Sequence, residues 1–85
     1  MHSIDVRRRR AQYRACHRGT QELDWLLGKY AAATVPAMTP AELDHFERLL
    51  AMPDPDLHAW IALGADAGES EFGPLLEAIR TYHGL

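Results

Sequence analysis

The chain has 85 residues, of which 47% are hydrophobic and 25% charged, and a formal charge of −3 at neutral pH; this suffices for one small core over residues 1–85 and excludes a multidomain enzyme. Its one cysteine, Cys16, cannot form an internal disulfide, and no apolar run approaches the roughly 20 residues of a membrane-spanning helix, so a soluble domain in a reducing compartment is predicted. Residues 1–18 hold six of the nine basic side chains and one of the twelve acidic ones, leaving a basic end on an acidic body.

Residues 4–17 lack helix breakers and set Ile4, Ala11 and Ala15 near one stripe, with Val6 and Tyr13 on other sides. A helix with a weak apolar face is predicted. Arg7, Arg8, Arg9 and Arg10 span more than one turn and cannot share a face. A basic, acid-poor N-terminal stretch has the composition of an organelle-targeting peptide, but no cleavage region follows and the small core needs the segment, so it is read as part of the fold.

Arg18-Gly19-Thr20-Gln21-Glu22 joins this helix to the next. Two readings fit: a helix corner in which Gly19 takes a left-handed conformation and the charges are solvated, or a surface approached closely by another molecule. The pentad alone favours the corner. After it, Leu23, Leu26, Leu27 and Tyr30 recur at i, i+3, i+4 and i+7, the spacing of one buried helical face. Glu22 falls in the first turn, where the helix dipole favours a carboxylate. Trp25 points off the leucine stripe; packing against another helix is predicted, with an exposed contact as the alternative. The run Ala31–Thr34 is expected to fray before Val35-Pro36, because a residue preceding proline is pushed from helical geometry.

Thr39-Pro40-Ala41-Glu42 is a helix start, with Thr39 as N-cap and Glu42 completing a capping box. The helix it opens buries Leu43, Phe46, Leu49 and Leu50, leaves Asp44, Glu47 and Arg48 outside, and stops near Pro53. Asp54-Pro55-Asp56-Leu57 repeats the start signal with Asp54 as the cap, and Leu57, Trp60 and Ile61 form the inward stripe. Gly64 ends that helix. Past a loop around Asp66–Glu69, Gly73-Pro74 opens a last segment whose stripe is Phe72, Leu75, Leu76, Ile79 and Tyr82, ending at His83-Gly84. Five short helices without any alternating pattern predict an all-α, compact bundle.

The five histidines, His2, His17, His45, His58 and His83, show no metal-ligand spacing, and no second cysteine completes a zinc set. Cys16 is read as a small packing residue. No nucleophile elbow, triad or glycine-rich phosphate loop is present, so neither an active site nor a metal site is predicted. Arg7–Arg10, Arg14 and Arg18 attract phosphate. Yet the sequence pI is near 5.9, and only Tyr13 interleaves the arginines, which leaves nucleic-acid binding through the N-terminal helix as the second reading.

The stretch Cys16-His17-Arg18-Gly19-Thr20-Gln21-Glu22-Leu23-Asp24 resembles the R-G-x-x-E-L-D signature of the succinate dehydrogenase assembly factors, or flavinators. Leu49-Leu50-Ala51-Met52-Pro53-Asp54-Pro55-Asp56-Leu57-His58-Ala59-Trp60 resembles the same family's L-L-x-x-x-D-P-D-L-x-x-W block, and the likeness runs from about Arg7 to about Tyr82. The resemblance implies a five-helix protein that binds the flavoprotein subunit of succinate dehydrogenase or fumarate reductase and promotes covalent FAD attachment. It also implies that the flavoprotein's own histidine attacks the 8α-methyl carbon of the flavin while the small protein only positions the site. Carried over, Arg18, Gly19 and Glu22 are the partner-binding residues. Arg18 would donate to a partner carboxylate or carbonyl, and Glu22 would accept from the partner or hold Arg18. Asp54, Pro55 and Asp56 serve mainly as a helix cap, with secondary contacts from these three and from Arg14, His17 and Trp25. Thr20 and His17 depart from the family pattern. The expectation is a free monomer with no stably bound cofactor, no metal and no membrane contact, working in a bacterial cytoplasm in preference to a mitochondrial matrix.

Overall fold

Each helix leaves the amide groups of its first turn unpaired, and side-chain oxygens placed just before three of the helices take them up. In the computed structural model, which describes residues 3–85, Ser3 accepts from the Val6 amide and opens α1 (Ile4–Ala15). Thr20 accepts from Leu23 and opens α2 (Gln21–Thr34). Thr39 and Glu42 form the expected reciprocal capping box, with distances of 2.8 and 3.2 Å, at the start of α3 (Pro40–Leu50). The remaining helices are α4 (Asp54–Ile61) and α5 (Gly73–Tyr82). Among the described residues there are five α-helices and no strand, the all-α architecture read from the sequence. His2 lies outside the described residues.

Several local expectations give way to packing. The chain does not fray at Ala31 but continues as helix to Thr34 and then as a 3-10 turn over Val35–Ala37. Val35 sits at φ −58° and ψ −40° although proline follows it, because its side chain is fully buried. Asp54 is not the cap of α4: Pro53 occupies that position, Asp54 is the first helical residue, and no side chain caps the end. The Asp54 carboxylate is instead committed to Arg18. Glu47 is half-buried, drawn inward by Arg7, whose guanidinium donates to it at 2.5 Å. Tyr82 is 49% exposed and meets Tyr30 edge-on, so the last stripe buries only Phe72, Leu76 and Ile79 fully.

α2 is the central element. α1 packs on α2 and α3, while α4 and α5 pack on α2 and on each other. Leu23, Leu26 and Leu27 of α2 meet Leu43, Phe46, Leu49 and Leu50 of α3, Leu57 and Ile61 of α4, and Leu76 and Ile79 of α5 in one core. The end of α1 can approach α2 so closely only because residue 28 is glycine: a Cβ there would lie 2.8 Å from the Cys16 Cβ. No described helix is long and apolar enough to cross a membrane.

Candidate functional site at the first helix corner

The α1–α2 corner turns on Gly19, whose φ of +111° is open to glycine and strained for any other residue. A Cβ at this position would meet nothing closer than Asp54 Oδ2 at 3.6 Å, so the requirement comes from the backbone and not from crowding. The residue itself is exposed.

Arg18 faces inward. Its Nε and Nη2 donate to Asp54 Oδ1 at 3.0 and 2.8 Å, Nη1 donates to the Leu50 carbonyl at 2.5 Å, and Nη2 also reaches the Met52 carbonyl at 3.0 Å. The side chain is only 12% exposed. One planar fork thus ties the end of α3, the turn after it and the first residue of α4 to the α1–α2 corner. The Arg18 amide donates to Asp24, which fixes the backbone entering Gly19 from the other side. Sequence reasoning assigned Asp24 no role. The signal was present in the signature itself, since a carboxylate in the first turn of a helix faces back toward the preceding corner.

Glu22 does not hold Arg18, one of the two roles expected of it. Its carboxylate, 58% exposed, pairs with His58 Nε2 across the seam between α2 and α4. Thr20, Glu22 and Leu23 from the first motif line a shallow cleft there with Asp54, Pro55 and His58 from the second. The two blocks, residues 16–24 and 49–60 in sequence, therefore form one surface. His58 was one of five scattered histidines in the sequence, and nothing local marked it. Its proximity to Glu22 exists only once α2 and α4 pack.

The secondary positions divide. Pro55 and Asp56 are exposed on the first turn of α4, and Arg14 is exposed at the end of α1. His17 stacks on Tyr13 with ring centroids 4.0 Å apart, and its Nδ1 donates to the Tyr13 carbonyl at 2.8 Å. Trp25, predicted to be packed, is 56% exposed and lies tilted over His83 at 4.8 Å. Cys16, also predicted to pack, is exposed, although its Cβ and Cα lie close against Gly28. Together with Gly28, Lys29 and Ala32, these two side chains line an open groove along α2 that begins at Gln21 and Glu22. Among the described residues, no three histidine, cysteine or carboxylate side chains converge in a way that could hold a metal ion.

Residues 9–83 match the sequence profile of the family described as flavinator of succinate dehydrogenase. The chain belongs to that family. It is 40% identical over 74 residues to the FAD assembly factor SdhE of Acetobacter pasteurianus, covering 87% of this chain and 68% of that one. To SdhE of Legionella pneumophila it is 38% identical over 65 residues, 76% of this chain and 81% of the relative. The mitochondrial succinate dehydrogenase assembly factor 2 of Debaryomyces hansenii is 38% identical over 64 residues, 75% of this chain but 45% of the longer relative. No solved structure matches the chain. The family is one of assembly factors and not of catalytic enzymes, and both of its motif blocks in this flavinator meet at the corner described above.

Proposed function

We propose that this flavinator binds the flavoprotein subunit of succinate dehydrogenase, or of the related fumarate reductase, through the corner made by Gly19, Glu22 and the first turn of α4, and thereby promotes covalent attachment of FAD to that subunit. One observation carries the choice of surface: Arg18 spends its donors on Asp54 and two carbonyls, so that both motif blocks are locked into one rigid corner, while Gly19 and the Glu22 carboxylate remain open at its surface. A corner held from within costs little ordering when a partner docks, which is the physical content of preorganisation. Gly19 offers a bare backbone for close approach, and one Glu22 oxygen offers an acceptor. Arg18 serves the site by holding it, with little of its guanidinium left for the partner. Arg14, His17, Trp25, Pro55 and Asp56 flank the corner as secondary contacts. The chain supplies positioning, and bond formation belongs to the flavoprotein and its flavin; FAD is not held by this chain itself. The similarity to bacterial SdhE proteins supports work in a bacterial cytoplasm, and on this reading the free protein is a monomer.

The test mixes apo-flavoprotein, FAD and each variant, and measures flavin that stays attached after denaturation. Glu22→Ala is expected to leave much less covalent flavin than wild type. Gly19→Ala and Gly19→Arg share the same backbone strain, about 1–3 kcal/mol, and differ in bulk and charge. At a temperature where both remain folded, the arginine variant is expected to lose far more flavin attachment than the alanine variant. Wild-type flavin levels with Glu22→Ala and with folded Gly19→Arg would reduce the corner to a structural turn.

A further inference from the structure

We infer that His58 is a positioning residue for Glu22: its imidazole holds one carboxylate oxygen in the cleft between α2 and α4 and leaves the other presented to the flavoprotein subunit. The inference rests on the reading of Glu22 given above. A glutamate with a side chain 58% exposed samples several rotamers when unattached, and a partner that engages it must order it. Here the ordering is done beforehand. His58 sits one turn into α4 from Asp54, half-buried beside Pro55 and Leu23, and its Nε2 meets Glu22 Oε1 directly.

The charged groups lining the cleft around His58 are Glu22 from α2 and Asp54 from its own helix. Arg18 already occupies Asp54, so Glu22 is the carboxylate open to the imidazole. A carboxylate only accepts, so the ring must donate from Nε2. A neutral imidazole does so in one of its two tautomers, whereas a protonated one does so always and adds opposite charge. No partner group is needed for this.

The experiment is a double-mutant cycle on binding to the apo-flavoprotein subunit of succinate dehydrogenase, read by titration calorimetry for wild type, His58→Ala, Glu22→Ala and the double variant. His58→Ala is expected to weaken binding about three- to tenfold, the scale of ordering one flexible side chain, and to have no further effect once Glu22 is alanine. His58→Gln keeps a neutral donor and is expected to recover most of the affinity. Equal losses from His58→Ala in both backgrounds, no recovery by His58→Gln, or wild-type binding by His58→Ala while Glu22→Ala binds weakly, would each overturn the positioning role alone. Wild-type binding by Glu22→Ala would overturn the assigned site together with it.

Discussion

Arg18, read from the sequence as a donor to a partner, turns its guanidinium inward in the structure. Its planar fork reaches a carboxylate and two carbonyls at once, a geometry that an ammonium on a flexible stem cannot reproduce. Arg18→Lys is expected to cost about 1–3 kcal/mol, the penalty of leaving buried acceptors unpaired, and to appear as a lower melting temperature without loss of helix content in the cold. Asp54→Ala belongs on the same scale, about 1–3 kcal/mol, through the guanidinium it abandons and not through a lost helix cap. Glu22→Ala should differ from both, melting within about 1 kcal/mol of wild type because a first-turn carboxylate at the surface contributes a small dipole term and an exposed pair with His58, while flavin attachment falls. If Arg18→Lys melts like wild type, the fork does not hold the corner.

Between elements, the α1–α2 crossing depends on an absent side chain. In an isolated helix, Gly28→Ala would gain about 1 kcal/mol of propensity. Here the added methyl would meet the Cys16 Cβ at 2.8 Å with the Cys16 backbone just behind it at 3.3 Å. Overpacking of this kind costs about 1–3 kcal/mol, so the variant is expected to be less stable, with its sign in a denaturant titration opposite to the propensity scale. The α3 start has a pH signature of its own. The Thr39 amide, donating to the Glu42 carboxylate, holds that carboxyl below its ordinary value of 4.5. A depressed carboxyl contributes stability that is fully present above that ordinary value and disappears as the pH falls through the lower folded value. Thermal melts from about pH 6 down to about pH 3 should therefore lose a small increment in wild type that Glu42→Gln lacks; parallel curves for the two would remove the box from the acid response.

On the scale of the molecule, the basic end is less available than its count of arginines suggests. Arg7 is tied to Glu47, Arg8 to Asp5 and the Met38 carbonyl, and Arg18 to Asp54, which leaves Arg9, Arg10 and Arg14 exposed. Three arginines on an acidic body make a weak phosphate-binding surface. Duplex DNA is expected to bind no tighter than the ~1–100 µM of nonspecific contacts and to be released steeply by salt. The apo-flavoprotein should form a one-to-one complex on gel filtration near physiological ionic strength. Tight, salt-resistant DNA binding would reverse the two readings of this end.

The sequence by itself determined the helices and their faces. Apolar spacing in Leu23–Tyr30 and Leu43–Leu50, and the Thr39–Glu42 box, act within a turn or two of chain, where neighbours in sequence are neighbours in space. It also carried the family, because both motif blocks are contiguous. What the sequence did not carry were the partners of the motif side chains. Arg18 lies 36 residues from Asp54 and Glu22 lies 36 from His58, and each pair meets only because α4 packs against α2. The same packing holds Val35 helical before a proline and takes Asp54 from its cap, and the lie of α1 on α2 leaves Trp25 and the Cys16 side chain exposed. Local propensities differ by a kcal/mol or less per residue. Burial of a full side chain, at about 1.5–3 kcal/mol, outweighs them wherever the two conflict, and those cases are decided by the tertiary structure.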